Sequence, residues 1–556
     1  MDYEKLAELL FPEVTQTPED MEALYPPRNL PEGAKVTRFA PSPTGFVHFG
    51  GLFPAITGER LAHQSGGVFY LRIEDTDAKR EVEGAAENLI LTLSHYGVVF
   101  DEGAVTGGDK GNYGPYKQSM RRNIYHVFAK KLVSEGKAYP CFTTEEELEA
   151  LEQKDKKAEI KNKDWHADAE KQKQEMLKQR EITLEEVKAH LEAGHPFVLR
   201  ILADGDPEKK TPFTDLIRGK LEVPENDEDF VLLKSDGIPT YHFAHAVDDH
   251  LMRTTHIIRG EEWLPSLAKH IMLFRYLGFR IPKYMHIAQL MSLDENGCKK
   301  KLSKRDMGAN LNDYTRMGYA PECVIEYVMT LLNSNYEEWH TANPANPYTD
   351  FPFNIKKMSV SGCLFDFEKL KDVSKNVISK MTAEKVYDYV TEWSKENDPE
   401  LYDVLSADPE KAIRIFSIGR GVPKPRKDFA VWSDVKPYVS IFYDRLFKPE
   451  DEYPESFDRE DIKAALSEFI SEYDEKDDSN EWFGKLKVIA EKLGFAPEVK
   501  LYKSNPDAYK GHVGDISMFL RVAVTGRMNS PDLYEVMHIL GYDSVKARIE
   551  SRINSL

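Results

Sequence analysis

Residues 35–51, KVTRFAPSPTGFVHFGG, constrain the fold more than any other segment of this chain. They predict a strand at 36–39, a Pro-containing loop, the turn His48-Phe49-Gly50-Gly51 and a helix over LFPAITGERLAHQ. A strand, a Gly-rich turn and a helix N-terminus in this order form an anion cradle, because backbone N–H groups and the positive end of the helix dipole face the ligand. A short Gly-rich turn by itself is more often only a turn, so the interpretation depends on further motifs.

Three later segments supply the other groups that a nucleotide site needs. The run VFYLRIEDTD (68–77) is β-rich and ends in acidic and hydroxyl side chains. The run YHFAHAVDDHLMRTTHIIRGEEWL (241–264) combines aromatic, acidic and Arg groups and contains the strand pattern THIIRG. The run KKLSKR (300–305) follows a Gly-containing loop and concentrates cations. A cation cluster alone is usually a solvated surface patch, but here it completes a series of four motifs.

Together these motifs resemble the class I aminoacyl-tRNA synthetases. HFGG (48–51) stands where that family has His-x-Gly-His, and KLSKR (301–305) stands where it has Lys-Met-Ser-Lys-Ser. Four sequence segments are typical of the glutamyl branch: RFAPSPTG, RIEDTD, DDHLMRTTHIIRGEEW and KLSKR. The eukaryotic glutaminyl type instead carries Pro-Glu-Pro-Asn-Gly at the position of 41–45. Gly51 replaces the last His of the signature, so the site is expected to depend more on His48 and the lysines.

The resemblance implies activation of L-glutamate by ATP and transfer of the glutamyl group to the 3′-terminal adenosine of tRNA(Glu). Such a reaction needs positioned cations around the phosphates rather than a covalent nucleophile. The catalytic residues implied are His48, Lys301, Lys304 and Arg305, with Lys304 as the main transition-state contact. The ATP-binding residues implied are Ala40, His48, Gly50, Gly51, Lys301 and Lys304. Mg²⁺ is expected through the ATP phosphates.

Glutamate carries two carboxylates, so its pocket should contain at least two cations or strong donors. The resemblance assigns the side-chain carboxylate to Arg38 and Tyr241, the α-carboxylate to Arg259, the amine to Ser42 and Glu74, and a pocket wall to Trp263. The amide of glutamine is expected to leave Arg38 uncompensated and to be rejected.

Simpler interpretations of some of these residues also stand. Arg38 and Glu74 could pair with each other at strand ends, and Asp75 and Thr76 are expected to cap a helix after the strand. His242, His245 and His250 invite a metal hypothesis, but structural histidines are the preferred interpretation because no cysteine or third ligand matches them.

The predicted fold class is α/β: a Rossmann-like domain, interrupted by an inserted domain and followed by an α-helical region. The resemblance implies that the Rossmann-like domain is catalytic, that the inserted domain binds the acceptor end of tRNA and that the helical region binds the anticodon. The predicted parts are an N-terminal extension (1–34) with the helical pattern YEKLAELL, packed on the catalytic domain; the first Rossmann half (35–117); the inserted connective domain (118–239); the second Rossmann half (240–295); a stem-contact domain with the KLSKR loop (296–380); and the helical region (381–556).

Two parts of this organisation have alternative interpretations. The opening of the insertion, KQSMRRNIYHVFAKKLVSEGKAYPCF (117–142), is predicted to be helical, and the charged stretch 145–193 is either a solvated helical hairpin or an RNA-facing helix. The basic loop 420–427 is either an anticodon contact through Arg420 and Arg426 or a charged connection between helices.

The composition and charge limit the classes of protein to which this chain can belong. The 556 residues carry a net charge of −20, and an RNA partner therefore requires a locally basic face. No run of about 18 apolar residues predicts a membrane span, and the acidic N-terminus predicts no secretory signal. The scattered cysteines (Cys141, Cys298, Cys323, Cys363) favour a cytoplasmic protein without disulfides or structural zinc. A monomer is expected.

Three other functions compete with the main hypothesis. A non-discriminating glutamyl-tRNA synthetase would also charge tRNA(Gln), and the sequence does not separate it from the strict enzyme. A paralogue that glutamylates a modified tRNA base is disfavoured because that family is much shorter. A catalytically inactive binding module is disfavoured because His48, Lys301, Lys304, Arg38 and Arg259 are all present.

Overall fold

The structure, a computed structural model, describes residues 1–77, 81–143, 178–294, 296–302 and 309–556. The chain forms two compact units: Met1–Asn312 with Val328–Phe365, and Asp313–Tyr327 with Asp366–Leu556. Lys304, Arg305 and most of the charged stretch 145–193 lie outside the described residues. The bounds of the six parts predicted from the sequence remain predictions.

The strands of the described residues all belong to the first unit. They are β1 (Val36–Phe39), β2 (Val68–Leu71), β3 (Glu102–Val105), β4 (Gly108–Lys110), β5 (Ala138–Cys141), β6 (Val198–Ile201), β7 (Lys210–Asp215), β8 (Gly219–Pro224), β9 (Val231–Leu233), β10 (His256–Gly260), β11 (Lys283–Ile287), β12 (Leu290–Leu293), β13 (Lys299–Lys301) and β14 (Cys363–Leu364).

The α-helices are numbered in the same way. They are α1 (Tyr3–Leu10), α2 (Pro18–Leu24), α3 (Leu52–His63), α4 (Ala85–His95), α5 (Arg122–Ser134), α6 (Leu184–Glu192), α7 (Tyr241–Leu251), α8 (Leu267–Leu277), α9 (Leu311–Met317), α10 (Pro321–Leu332), α11 (Tyr336–Ala342), α12 (Phe367–Lys380), α13 (Ala383–Asn397), α14 (Pro399–Ala407), α15 (Pro409–Ser417), α16 (Val435–Val439), α17 (Arg459–Glu472), α18 (Ser479–Lys492), α19 (Val499–Ser504), α20 (Val513–Thr525), α21 (Leu533–Leu540) and α22 (Tyr542–Ser555).

Parallel strands form the centre of the first unit. Strand β2 pairs in parallel with both β1 and β3, and β10 pairs in parallel with β11. The N–H of Thr255, just before β10, donates to the carbonyl of Val36 in β1 at 2.9 Å, so the two sets of strands lie side by side. Helix α3 connects β1 to β2, and α8 connects β10 to β11. This βαβ arrangement is the one predicted from residues 35–77 and 241–264, and it directs the carboxyl ends of β1 and β10 to one edge.

The local sequence explains why a helix follows the Gly-rich turn. Ten of the twelve residues of α3 are buried, which is typical of a helix packed into the core rather than on the surface. Gly58 permits close packing on β2, because a Cβ there would lie 2.8 Å from the ring of Phe69. The predicted strand at 36–39 and the predicted helix after the turn are therefore both confirmed.

The N-terminal extension packs on other elements of the first unit. The pattern YEKLAELL forms α1, whose N-terminus is capped by Asp2 through a bond from the N–H of Lys5. Its buried face packs on α5. Further along, Arg28 forms an ion pair with Glu102 of β3 at 2.8 Å, which links the extension to the predicted first Rossmann half, 35–117.

The insertion differs from the prediction at its start. Helix α5 ends at Ser134, Gly136 adopts a left-handed φ of +69°, and β5 follows, so the prediction that 117–142 is helical is wrong for the residues after Ser134. The four residues of β5 are all buried and pair antiparallel with β6, and this pairing outweighs the helical pattern of the preceding residues. The end of the charged stretch is described and contains α6, which begins with a capping box between Thr183 and Glu186.

The second unit is helical. Residues 366–556 contain no strand, and the patterns noted in the sequence become α13, α17 and α21. Their apolar faces share one core, which includes Val386, Leu466 and Val536. The predicted helical C-terminal region is confirmed. Among the described residues, no helix is both long enough and apolar enough to cross a membrane.

Candidate active site

A cavity of about 880 Å³ opens at the carboxyl ends of β1 and β10. It collects every described residue that the sequence assigned to glutamate, ATP or catalysis in the first unit: Arg38, Ala40, Ser42, His48, Gly50, Gly51, Glu74, Tyr241, Arg259, Trp263 and Lys301. Lys304 and Arg305 lie outside the described residues. Because these residues come from eight different elements and loops, their convergence is a property of the fold rather than of the local sequence.

The Gly-rich turn forms one wall of the cavity. His48 precedes a short 3₁₀ helix, Phe49–Gly51, and its Nδ1 accepts the N–H of Gly50 at 3.0 Å. The proton of the neutral ring is therefore on Nε2. Helix α3 begins directly after Gly51 without a side-chain cap, and Gly50 and Gly51 both line the cavity. A helix N-terminus with this geometry stabilises negative charge.

Arg259, at the end of β10, is held by neutral groups. Its Nε donates to His286 Nε2 at 2.9 Å, its Nη1 contacts His270 Nδ1 at 2.9 Å, and its Nη2 donates to the carbonyl of Trp263 at 3.3 Å. The guanidinium also lies 4.8 Å from the ring centre of Tyr284. Among the described residues, no carboxylate lies within 4 Å of it.

Arg38, in β1, has the opposite environment. It is 3% exposed, and Asp249 accepts from its Nε at 3.1 Å and from its Nη2 at 3.2 Å, while the carbonyl of Ile258 accepts from Nη1. Asp249 also accepts from Arg72 at 2.8 Å. These guanidinium groups hold the pKa of Asp249 well below its usual range despite complete burial, which alone raises it. The expectation that the amide of glutamine would leave Arg38 uncompensated is therefore wrong, because Asp249 compensates Arg38 without a substrate.

Glu74 and Asp75 follow β2, and their partners differ from those that the simpler interpretations predicted. Glu74 pairs with Arg72 at 2.9 Å rather than with Arg38, and burial raises the pKa of Glu74 in spite of that cation. Asp75 does not cap the next helix, α4, whose N-cap is Gly84. Instead, Asp75 accepts the backbone N–H of Ser119 at 2.8 Å, so it caps a turn more than forty residues further along the chain.

Aromatic rings form a second wall. The rings of Tyr241 and Trp263 lie 4.3 Å apart between centres, and Tyr241 stacks on His245 at 5.6 Å. Burial raises the pKa of Tyr241, with Arg259 and Arg38 acting in the opposite direction. Tyr241 therefore remains a neutral hydroxyl at physiological pH and offers both a donor and an acceptor to the cavity.

The histidines of α7 have protein partners, which confirms the structural interpretation. His242 Nδ1 contacts His270 Nε2 at 2.9 Å, and His245 contacts Asp249 at 2.7 Å and the hydroxyl of Tyr284 at 2.9 Å. His250 contacts Glu22. The described residues contain no group of three or more His, Cys, Asp or Glu side chains arranged to hold a metal ion.

Sequence reasoning missed the residues behind the cavity wall. Asp249 and Arg72 lie within the motifs but have no predicted role, and His270 and His286 lie outside the motifs. The one available signal is a charged or imidazole residue inside an apolar helix pattern, such as the acidic pair after FAHAV and the His in LAKHIMLF. That signal marks burial but does not identify partners.

Arg420 and Arg426 line a different cavity, of about 620 Å³, in the second unit. Arg414 and Arg521 line it as well. Arg420 donates to the carbonyls of Ile378 and Met381, and burial lowers the pKa of its guanidinium. Arg426 pairs with Asp428 at 2.7 Å. The loop 420–427 thus connects α15 to the following 3₁₀ turn and also presents cations to an open cavity.

Comparisons with known proteins agree with this geometry. The family model described as tRNA synthetases class I (E and Q), catalytic domain, matches residues 35–372, and an anticodon binding domain model matches residues 503–553. The glutamate–tRNA ligase of Acetivibrio thermocellus is 50% identical over 552 residues, which cover 99% of this chain and 100% of the relative. The chain belongs to the glutamate–tRNA ligase family.

Two further relatives extend the match. The glutamate–tRNA ligase of Clostridium perfringens strain 13 is 48% identical and covers 99% of this chain and 100% of its own length. The crystal structure of a glutamate tRNA ligase from Elizabethkingia meningosepticum, in complex with its amino acid, has a TM-score of 0.69 and 28% identity, with 94% of this chain and 99% of that chain covered. The predicted family and fold class, an α/β class I catalytic domain followed by a helical region, are therefore confirmed.

Proposed function

We propose that this protein activates L-glutamate with ATP and transfers the glutamyl group to the 3′-terminal adenosine of tRNA(Glu). The observation that carries the proposal is the position of Arg259, a buried cation without a described carboxylate partner, in the same cavity as the Gly-rich turn and His48. A cavity with a cradle for phosphate and an uncompensated cation fits a nucleotide beside a small carboxylate.

Arg259 is the group best placed to bind the α-carboxylate of glutamate. A charge-assisted hydrogen bond from a guanidinium orients a planar carboxylate as well as attracting it. Tyr241 and Arg38 are proposed to contact the side-chain carboxylate, although Asp249 already offsets the charge of Arg38, so its attraction is weaker than that of Arg259. Ser42 and Glu74 are proposed for the amine, and Trp263 shapes the pocket.

ATP is proposed to bind along the Gly-rich turn. Ala40, Gly50 and Gly51 bring their backbone close to the nucleotide. His48 donates a hydrogen bond from Nε2–H to the phosphate oxygens, and Lys301 attracts their negative charge. Mg²⁺ enters with ATP, held by its phosphates. Lys304 and Arg305 are proposed to act from the KLSKR loop on sequence grounds alone.

Two transfers complete the reaction. An α-carboxylate oxygen attacks the α-phosphorus, the new O–P bond forms, and the bond to the β-phosphate breaks to release pyrophosphate. A hydroxyl of the terminal ribose then attacks the glutamyl carbonyl carbon, and AMP leaves with the bonding electrons. Charge builds on phosphate oxygens in the first step, so fixed donors and cations, rather than a covalent nucleophile, lower its barrier.

The second unit and the insertion are proposed to bind tRNA. Four arginines converge on the 620 Å³ cavity, where Arg420 and Arg426 are suited to stacking on and hydrogen bonding with unpaired anticodon bases. The insertion, 118–239, is proposed to bind the acceptor end. These assignments rest on sequence position and local charge.

The test is exchange of labelled pyrophosphate into ATP, with glutamate or glutamine and with tRNA present. We expect exchange with glutamate only, and Arg259→Gln should raise the KM for glutamate by roughly 30- to 5,000-fold, since a buried carboxylate that loses its partner costs about 2–5 kcal/mol. Lys269→Gln is the matched control, because Lys269 pairs with Glu228 at 2.8 Å and does not line the cavity. Equal exchange with glutamine, or an unchanged KM in Arg259→Gln, contradicts the assignment.

A further inference from the structure

Arg259 differs from the other buried arginines around the cavity. Arg38, Arg72 and Arg121 each contact a buried carboxylate, at 3.1, 2.8 and 2.7 Å respectively. Arg259 instead contacts the rings of His270 and His286, both 0% exposed. A fully buried cation normally requires a counter-charge. Its described surroundings provide only neutral acceptors, so the guanidinium is oriented without being neutralised.

The hydrogen-bond directions fix the protonation of both rings. A guanidinium only donates, so the ring nitrogens that face Arg259, His286 Nε2 and His270 Nδ1, must be acceptors without a proton. On the far side, His286 Nδ1 donates to Asp215 Oδ2 at 2.8 Å, and His270 Nε2 donates to His242 Nδ1 at 2.9 Å. Each ring therefore carries one proton, placed away from Arg259.

Burial supports the neutral form of these rings. It lowers the pKa of His286, and it lowers the pKa of His270 well below the ordinary value, with the neighbouring His245 and Arg259 adding to the effect. His242, at the end of the chain of contacts, has its pKa lowered to about 4 for the same reason. None of the three rings adds charge near Arg259 at neutral pH.

We propose that His270 and His286 are positioning residues that determine glutamate affinity, because they hold Arg259 through neutral acceptors and so leave its full charge for a substrate carboxylate. This inference rests on the proposed function. An Asp or Glu in either place would hold Arg259 equally well and would compete with the substrate. Imidazole side chains at these two positions therefore favour the binding of an anion by Arg259, whereas carboxylates would disfavour it.

The test compares neutral and anionic residues of one shape at each position. In His270→Asn, the side-chain carbonyl takes the place of Nδ1 and accepts from Arg259, and His270→Asp differs from it only in charge. In His286→Gln, the carbonyl takes the place of Nε2, and His286→Glu is its anionic partner. Arg259 itself keeps any new carboxylate ionised. The two positions give two independent pairs, so a variant that fails to fold removes only one of them.

The readouts are the separate KM values for glutamate and ATP and kcat in pyrophosphate exchange with tRNA, with thermal unfolding as the check on folding. We expect the two neutral variants to stay within about fivefold of the wild type, and the anionic variants to raise the KM for glutamate by roughly 10- to 100-fold with little change in the KM for ATP. A purely structural role would lower stability and activity in all four variants alike.

The outcomes are distinct. Equal KM values for glutamate within each neutral and anionic pair would overturn the inference while leaving the proposed function intact. Absence of glutamate-dependent exchange in the wild type would overturn both. A parallel rise in the KM for ATP would also count against the inference, because it would show a general loss of the cavity rather than a loss of attraction for one carboxylate.

Discussion

Asp249→Asn should strongly destabilise the first unit. The carboxylate of Asp249 is completely buried and contacts Arg38 at 3.1 Å, Arg72 at 2.8 Å and His245 at 2.7 Å. Asparagine keeps the shape but removes the charge. Arg72 retains Glu74 at 2.9 Å, whereas Arg38 loses the carboxylate that compensates it. Leaving one buried charge without its partner costs about 3–5 kcal/mol.

Calorimetric unfolding measures this loss. A unit of this size shifts by about 1.4 °C per kcal/mol, so we expect its transition to fall by about 4–7 °C. The control is Glu192→Gln, because Glu192 pairs with Lys188 at the surface of the same unit, with both side chains more than 60% exposed. Such pairs contribute about 0–1 kcal/mol. A shift in Asp249→Asn no larger than in the control would refute the view that Asp249 is the counter-ion of the Arg38–Arg72 pair.

Four further predictions follow from the same structure and sequence. The free energy of unfolding should fall as the pH drops from about 6.5 to 4, because His242, His245 and His256 have pKa values of about 4 in the folded protein and about 6.5 in the unfolded chain. Each histidine lowers this free energy by up to about 3 kcal/mol at pH 4. Urea unfolding at several pH values measures the loss. Lys304→Ala should lower the rate of adenylate formation by about 10²–10³-fold with little change in glutamate affinity, as single-turnover kinetics would show. Arg426→Ala should raise the KM for tRNA and leave the KM for glutamate unchanged in charging assays. Pyrophosphate exchange should require tRNA if acceptor-end binding completes the site, and robust exchange without RNA would contradict that claim.

Sequence patterns predicted the parts of the fold that depend on neighbouring residues. The strand at Val36–Phe39, the helices Tyr3–Leu10 and Leu52–His63, and the helical second unit all follow from local periodicity, turn residues and capping. The motif residues of the cavity could be assigned because a family resemblance links them, and the structure places those that it describes around one space. The helical prediction for 117–142 extends too far, because the pairing of Ala138–Cys141 with a distant strand is not visible in the local sequence.

The charge balance of the site could not be predicted from sequence. Asp249 contacts Arg72 although the two residues are 177 positions apart in the sequence, and His286 contacts Arg259 across 27 positions. Whether an arginine is neutralised by a carboxylate or only held by an imidazole depends on these tertiary contacts, not on its own motif. Arg38 and Arg259 look equivalent in the sequence, yet only the first has a carboxylate partner among the described residues.

Charging of purified tRNA(Glu) with radiolabelled glutamate tests the central claim most directly. With ATP and Mg²⁺, the protein should form glutamyl-tRNA(Glu), and labelled glutamine should give no product with the same tRNA. Running tRNA(Gln) alongside shows whether glutamate is also attached to the second tRNA, as a non-discriminating enzyme would do. Failure to glutamylate tRNA(Glu), or equal charging of it with glutamine, would contradict the account of a pocket built around carboxylate recognition.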